Sequence, residues 1–301
     1  MNQGIIKLGY IWERVMHMAM PFMQDVAASV KPWEELTIAD NFIFQAVMRK
    51  KRCCRRFIES VLGIKVKKIT YPVLTEKDIK VRRESKGVRL DVYVEDDQGN
   101  IYDIEMQTTD YARPDELPKR TRYYQAMIDL DVLNKGESYV KLRQTYIIFV
   151  CTFDPFTAGR SIYTFRETCQ EDKGILMGDE TTKIFLNSKG SREGISKELA
   201  AFLDYVEGKA PSSKFTKDLA MVVDETKENK EKRVEYMSYM MDMLRSEERG
   251  EERGIEKGRK EGQINSIKSL MTTMQVTAEK AMDLLQVPPQ DRAKFKSMLG
   301  V

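Results

Sequence analysis

Two acidic residues on one short stretch of the chain, Asp91 and Glu105, have the type and spacing to hold a divalent cation. They lie in KGVRLDVYVEDDQGNIYDIEMQT, residues 86–108, where apolar and polar residues alternate on both sides of a turn sequence. Such alternation is typical of β-strands. The turn, residues 96–100, fits a three-residue hairpin loop closed by Gly99 in the left-handed conformation.

That loop fixes the register of the predicted hairpin. Asp91 then faces Glu105, Arg89 faces Gln107, and Asp103 lies on the same polar face. Carboxylates directly opposite each other have Cβ atoms about 4.5–5.5 Å apart, and like charges there are destabilising. A cation would remove the conflict, since Mg²⁺ is often held by one or two carboxylates with water and phosphate oxygens. The alternative is a solvent-exposed hairpin with one charged face.

Composition narrows the chemistry that these residues can perform. The chain has 301 residues, 42% of them hydrophobic, which allows a sizeable core in one or two domains. Its net charge of +3 is too balanced to indicate nucleic-acid binding by itself, so any phosphate-binding surface must come from local clustering. The single histidine, His17, disfavours Ser-His-Asp and Cys-His catalysis and histidine-based zinc sites. Catalysis would therefore depend on carboxylates, lysines and arginines.

The sequence also bears on location. No apolar run reaches the roughly 18 residues of a membrane-spanning helix. Residues 1–30 lack the layout of a signal peptide. The four cysteines have no C-x-x-C spacing, so we expect reduced thiols. These features favour a cytoplasmic protein with no membrane partner.

Residues 36–62 are predicted to form two helices, with Thr37 or Asp40 as the first N-cap and Gly63 ending the second. The basic residues around their junction are Arg49, Lys50, Lys51, Arg52, Arg55 and Arg56. This cluster either contacts phosphates or forms a solvated connection between helices, and the pattern leaves both alternatives open.

After the hairpin, a helical pattern covers residues 117–133 and a continuous apolar run covers residues 145–152. The run suits a strand buried on both faces. Strand, helix and strand in this order indicate a right-handed crossover. Arg120 and Tyr124 share one face of the helix. The helix residues expected in the core are Tyr123, Met127, Leu130 and Leu133.

The rest of the sequence contains few residues that suggest catalysis or binding. Predicted elements are strands at 65–74, 161–166 and 182–187, a polar loop at 75–87, a helix at 195–207, one or two helices in 215–245, and three short helices in 264–301, the last starting at Pro288-Pro289. Gly250, Gly254, Gly258 and Gly262 recur every four residues. They indicate either close helix–helix approach or, as we favour, a solvated charged helix. The C-terminal helices could support a homo-oligomer.

An Asp on one strand, Glu-x-Gln on the next, and a helix with Arg120 and Tyr124 before a buried strand together resemble the PD-(D/E)XK nuclease superfamily. The segments VRLDVYVEDDQGNIYDIEMQ, LPKRTRYYQAMIDLDVLNKGESY and YIIFVCTFDPF resemble more specifically the Rpn-type recombination-promoting nuclease and putative transposase family. With TIADNFIFQAVM and the glycine repeat, the resemblance covers about residues 36–262. It implies an α/β (α+β) fold, a restriction-endonuclease-like core with a mixed central sheet flanked by helices and a charged helical C-terminal extension.

The implied domain organisation has four parts. They are an N-terminal extension (1–35), a nuclease-like domain (36–210), a charged helical segment (211–262) and a small helical tail (263–301).

The resemblance further implies an endonuclease that hydrolyses DNA phosphodiesters with Mg²⁺, for which Mn²⁺ could substitute. Asp91 and Glu105 would hold the metal, and Gln107 stands where the superfamily has lysine. Glutamine can orient the attacking water but supplies no charge. The residues proposed to contact DNA phosphates are Arg89, Arg120, Tyr124 and Lys86. Asp40 is a possible accessory acid.

Gln107 and the charged tail also support an alternative, a catalytically weak or inactive nuclease fold that binds DNA or serves assembly. A transposase of the three-carboxylate, RNase H-like type fits less well, because its carboxylates usually lie far apart in sequence.

Overall fold

The computed structural model describes residues 31–72, 77–79, 86–108 and 116–300, except the side chain of Glu247. Most of the predicted N-terminal extension lies outside these ranges. The described residues fall into two compact units, Lys31–Tyr236 and one that contains residues 237–300. The four-part division of the chain stays a prediction.

The first unit contains a mixed sheet and its flanking helices, as the sequence predicted. Its strands are β1 (Ile69–Thr70), β2 (Lys77–Ile79), β3 (Val88–Leu90), β4 (Val92–Asp96), β5 (Ile101–Gln107), β6 (Thr145–Cys151), β7 (Ile162–Phe165) and β8 (Thr181–Asn187). Its helices are α1 (Asn41–Met48), α2 (Lys51–Leu62), α3 (Leu117–Val132), α4 (Lys197–Val206) and α5 (Lys214–Glu228). A long helix, α6, covers Lys230–Met274.

Six strands form the main sheet in the order β1-β4-β5-β6-β8-β7. The pairs β5–β6 and β6–β8 are parallel, and the other pairs are antiparallel. Strands β5 and β6 therefore lie in the middle of the sheet, joined through α3. This arrangement buries both faces of β6, as its continuous apolar run predicted.

The predicted hairpin register is confirmed. Val92 pairs with Ile104, and Glu95 pairs with Ile101. The Asp96 amide donates to the Asn100 carbonyl at 3.0 Å, and Gly99 has φ of +83°. Such a backbone favours glycine, because a Cβ is strained there.

The alternative prediction, a solvent-exposed hairpin with one charged face, is wrong. All residues of β5 from Ile101 to Met106 are buried, including Asp103 and Glu105. The reason is the partner strand β6, which makes β5 a central strand covered on both faces.

The predicted position of Arg89 opposite Gln107 is also wrong. The chain leaves the β4–β5 ladder at Asp91, and β3 pairs instead with β2, placing Arg89 opposite Asp78. Strand β2 lies inside residues 75–87, which were predicted as a loop. Strand β1 is shorter than the predicted strand at 65–74.

Helix α3 matches its predicted bounds but turns a different face to the core. Its buried residues are Leu117, Thr121, Gln125, Met127 and Ile128. Tyr123 and Leu130, which were expected in the core, are 38% and 61% exposed. The helix carries apolar residues on more than one face, so spacing alone did not identify the face that meets β6.

Helices α1, α2, α4 and α5 share an aromatic core. Phe57 lies 6.4 Å from Phe44 and 5.0 Å from Phe202, and Phe202 lies 6.1 Å from Phe215, between ring centroids. All four rings are fully or almost fully buried. Gly63 ends α2 with φ of +68°, as predicted.

The second unit is helical and contains α7 (Ala278–Leu284) and α8 (Pro289–Leu299). A small apolar cluster, including Ile267, Met282 and Phe295, holds them against the end of α6. The four repeated glycines lie in α6, and a Cβ at any of them would meet no described atom within 4 Å. This favours the solvated charged helix over close helix–helix approach. None of the helices in the described ranges is long and apolar enough to cross a bilayer.

Candidate active site

Asp91 and Glu105 meet where β4 begins beside β5. The Asp91 amide donates a hydrogen bond to Glu105 Oε1 at 2.9 Å, and the Met106 amide donates to Asp91 Oδ2 at 3.4 Å. These reciprocal contacts bring the carboxylate of each residue to the backbone beside the other, one position beyond the last ladder pair, Val92 and Ile104. Glu105 is almost fully buried, whereas Asp91 is partly exposed.

Helix α1 supplies two amide side chains to the site. Gln45 Nε2 and Asn41 Nδ2 donate to Asp91 Oδ1 at 3.1 Å and 3.4 Å, and Gln45 Nε2 also lies 3.3 Å from Asn41 Oδ1. Sequence patterns alone did not identify either residue. Their spacing of four on one helix face was the available signal, but nothing in the sequence connected that face to Asp91.

Arg120 of α3 connects the remaining predicted residues. It donates to Gln107 Oε1 at 2.6 Å and to the Tyr124 hydroxyl at 3.0 Å, and it lies 3.7 Å from Glu105 Oε2. Its guanidinium also lies over the Phe149 ring, 5.3 Å from the centroid. The fixed fork of the guanidinium suits several acceptors at once. Arg120 thus holds one positive charge between a buried carboxylate and the side chain at the lysine position.

A basic cleft of about 500 Å³ opens beside Arg120. It is lined by all four residues predicted to contact phosphates, Lys86, Arg89, Arg120 and Tyr124, together with Lys119, Arg122, Tyr123, Glu116 and the 87–88 backbone segment. The Tyr123 hydroxyl donates to the Lys86 carbonyl at 2.5 Å and fixes one edge. Five cations against one acid make this cleft suited to a polyanion.

Asp40 has other contacts. Its carboxylate accepts from the Thr37 amide at 2.6 Å and pairs with Lys31 at 2.7 Å. It is the N-cap of α1 by position but makes no side-chain cap hydrogen bond. Its neighbour Asn41, not Asp40, contacts Asp91.

Asp103 is a third acid near the pair, and its place in the sequence pattern predicted no role for it. It is fully buried and lies opposite Tyr93 and Ile147 in the flanking strands. Burial, and then the charge of Asp91, raises the pKa of Asp103 well above its ordinary value, although the Glu105 carboxyl lies close enough to oppose this. Neither carboxylate oxygen of Asp103 makes a well-formed hydrogen bond within the described part of the chain.

The same crowding affects Glu105. Burial raises the pKa of Glu105 first, and the charges of Asp91 and Asp103 raise it further. A divalent cation would relieve this repulsion, and the donors are hard carboxylate oxygens of the kind that Mg²⁺ prefers. Among the described residues, no three His, Cys, Asp or Glu side chains converge as a metal cage. The residues therefore fit a cation held by two carboxylates, with its other ligands from water or substrate.

Replacing Asp103 with Asn should stabilise the fold at neutral pH. The folded protein holds the Asp103 proton to higher pH than the unfolded chain does, so stability falls as pH rises from about 4 through the raised pKa. Asn removes the charge that burial disfavours, and we expect a gain of about 1–3 kcal/mol in the free energy of unfolding. Urea denaturation in EDTA at several pH values would measure it.

The gain should shrink as the pH falls well below about 4, where Asp103 becomes protonated in both the folded and the unfolded state. Asp224→Asn, at an exposed acid, is the matched control and should change stability little. An Asp103→Asn protein that is less stable than wild type at pH 7 would show that the buried carboxylate does not destabilise the fold.

The mixed sheet, with an Asp immediately before β4 in contact with the Glu-x-Gln of β5, is of the PD-(D/E)XK nuclease type. Residues 42–187 match the sequence model of a family described as PD-(D/E)XK nuclease family transposase. The matched range runs from α1 to the last residue of β8 and includes Asp91, Glu105, Gln107, Arg120 and Tyr124. The superfamily that the sequence resembled is thus confirmed. No curated protein and no solved structure matches the chain.

Proposed function

We propose that this domain is a Mg²⁺-dependent endonuclease that hydrolyses DNA phosphodiester bonds. The observation that carries the proposal is the facing pair Asp91 and Glu105 with Arg120 beside it. Buried like charges raise the pKa of Glu105 and disfavour its ionised form. A site of this kind has a reason to bind a cation.

Asp91 and Glu105 are the residues that would hold the metal, with Mn²⁺ as a substitute. Bound there, Mg²⁺ would supply an activated water and stabilise charge on the phosphate. Asn41 and Gln45 orient the Asp91 carboxylate by donating to Oδ1, and the Met106 amide lies 3.4 Å from Oδ2. Asp40 stays a proposed accessory acid with no contact that supports it.

Gln107 and Arg120 divide the role that one lysine has in the superfamily. Gln107 carries no charge, but its Oε1 accepts from Arg120 and fixes the guanidinium next to Glu105. Arg120 then supplies the positive charge, and the Gln107 amide can orient the attacking water. Tyr124 holds the other side of the same guanidinium.

The basic cleft would bind the DNA backbone. Lys86, Arg89, Lys119 and Arg122 extend the positive charge outward from Arg120. Contacts of this kind are largely independent of sequence, and their affinity falls as salt rises. The cleft therefore positions a phosphodiester next to the carboxylate pair without selecting its bases.

Plasmid cleavage by the purified full chain tests this function. Supercoiled DNA should be nicked and linearised with Mg²⁺ or Mn²⁺, and chelation with EDTA should stop the reaction. Readdition of Mg²⁺ should restore it. Protein that is folded and binds DNA but leaves the plasmid intact with either metal would contradict the nuclease proposal.

That result would favour the second candidate, a nuclease fold that binds DNA or serves assembly without cleaving. Gln107 in place of lysine and the charged helix α6 motivate it. Exposed Leu284, Leu285 and Met298 on α7, α8 and their connection are the apolar side chains that self-association would cover. Light scattering on the full chain tests the homo-oligomer separately from cleavage.

A further inference from the structure

A second pocket lies on the same face of the sheet as Glu105. Strand pairing places Glu105 beside Phe149 on β6 and Phe149 beside Phe185 on β8, so the three side chains form one row. Neighbouring strands are about 4.8 Å apart, which puts Phe185 about 10 Å from Glu105. A pocket of about 290 Å³ is built over Phe185.

Aromatic rings form the walls of this pocket. Phe156 lies 5.0 Å from both Phe165 and Phe185, between centroids, and Phe165 lies 5.9 Å from Phe185. Phe185 is buried, Phe156 is partly exposed, and Phe165 on the edge strand β7 is 44% exposed. An aromatic side chain so exposed, beside two others, offers a flat ring face to a ligand.

Cations line the rim. Arg122, Arg166 and Lys183 all contribute to the pocket, against one acid, Glu167. Arg122 and Arg166 are exposed, and Lys183 donates to the Thr181 hydroxyl at 3.1 Å. Arg122 also lines the basic cleft beside Arg120, so the two cavities share a wall.

We propose that this aromatic pocket binds an unpaired nucleobase of a DNA strand whose backbone lies in the basic cleft. The inference rests on the proposed function for the identity of the ligand. Aromatic walls with cations at the rim suit a base and its phosphate, as in single-strand binding sites. The volume is at the lower end for small-molecule pockets, which fits one planar ring system.

The proposal specifies the substrate class. A paired base in a duplex is stacked and cannot enter the pocket, whereas a base in a tail, gap or frayed end can. The distance of about 10 Å from Glu105 corresponds to about three nucleotide steps of duplex rise. The preferred substrate is therefore DNA with a single-stranded segment within a few nucleotides of the cleaved bond.

Fluorescence anisotropy of the full chain in EDTA, which prevents cleavage, tests the preference. The probes are a labelled blunt duplex and the same duplex with a short single-stranded tail. Wild type should bind the tailed probe about tenfold more tightly. Phe165→Leu keeps an apolar side chain on β7 but removes the ring, and should lose that preference. Phe165→Trp keeps a ring and should retain it.

Tyr139→Leu is the matched control, because Tyr139 is an exposed aromatic residue outside the pocket lining. It should leave the preference unchanged, and thermal melting should show that all variants are folded. The proposal fails if wild type binds both probes equally, if Phe165→Leu keeps the preference, or if Tyr139→Leu loses it as well.

Binding and cleavage separate this proposal from the nuclease proposal. One possible result is that wild type prefers the tailed probe, Phe165→Leu loses that preference, and wild type cleaves no plasmid. This result supports the pocket proposal and contradicts the nuclease proposal. A protein that cleaves plasmid DNA but shows no tail preference gives the reverse result. A 2-aminopurine base placed in the tail adds a direct readout, since stacking against a ring should quench its emission in wild type and not in Phe165→Leu.

Discussion

Asp91→Asn and Glu105→Gln should each lower the rate of DNA cleavage by more than about 100-fold. Substituting residues that only support metal ligands typically costs 10–100-fold, and loss of a direct ligand should cost more. Both changes preserve side-chain size and remove one charge from a crowded acidic pair. The fold should therefore survive, and the deficit should appear in metal binding as well as in cleavage.

The measurements are plasmid nicking rates over a range of Mg²⁺ concentrations and calorimetric titration of Mg²⁺ into the full chain. Glu95→Gln is the matched control, because Glu95 lies on the same hairpin and pairs with Ile101 away from the site. It should cleave and bind Mg²⁺ like wild type. An Asp91→Asn protein with the wild-type nicking rate would remove Asp91 from the metal site.

The sequence contained enough information to predict the hairpin and its register. A three-residue loop closed by Gly99 allows one pairing, and a slip of one residue would turn every side chain to the other face. The facing of Asp91 and Glu105 follows from that local geometry alone. The continuous apolar run of β6 likewise predicted a strand in the middle of the sheet, since both of its faces had to be covered.

Long-range partners could not be predicted in the same way. Arg89 lies two residues before Asp91, and the pattern of alternation continues through both. The structure nevertheless ends the ladder at Asp91 and pairs Arg89 with Asp78, because β3 has a second partner strand. Asn41 and Gln45 reach Asp91 from a helix about 50 residues earlier. Such contacts depend on how elements pack, which periodicity does not report.

Burial of charge was the other feature that sequence could not supply. In the sequence pattern Asp103 is one more polar residue on an alternating strand. In the structure it is fully buried, and burial raises its pKa. Only the position of β5 between β4 and β6 shows this. The same position buries Glu105, so its carboxylate needs a positive charge nearby. Arg120 supplies that charge.

Arg120→Ala should reduce cleavage by about 100-fold, the usual effect of removing one preorganised charge or donor next to a reacting group. Among the residues that the structure describes, Arg120 is the only basic side chain in contact with Glu105. The substitution also removes the hydrogen bond that Arg120 donates to Gln107. Arg120→Lys should restore little, because an ammonium cannot reach Gln107, Tyr124 and Glu105 together as the guanidinium fork does. Nicking rates at saturating Mg²⁺ measure the effect.

Gln107→Lys distinguishes a catalytic charge from a structural one. Alone, it should retain or raise cleavage, since it places a lysine at the superfamily's position. In the Arg120→Ala background it should recover part of the lost rate, because the new ammonium stands where the guanidinium was held. Arg122→Ala, on the same helix and in the same cleft, is the control, and Gln107→Lys should give it no such rescue. A double variant no faster than Arg120→Ala, with unchanged stability and Mg²⁺ affinity, would mean that Arg120 acts by holding Gln107 and Tyr124 in place rather than by its charge.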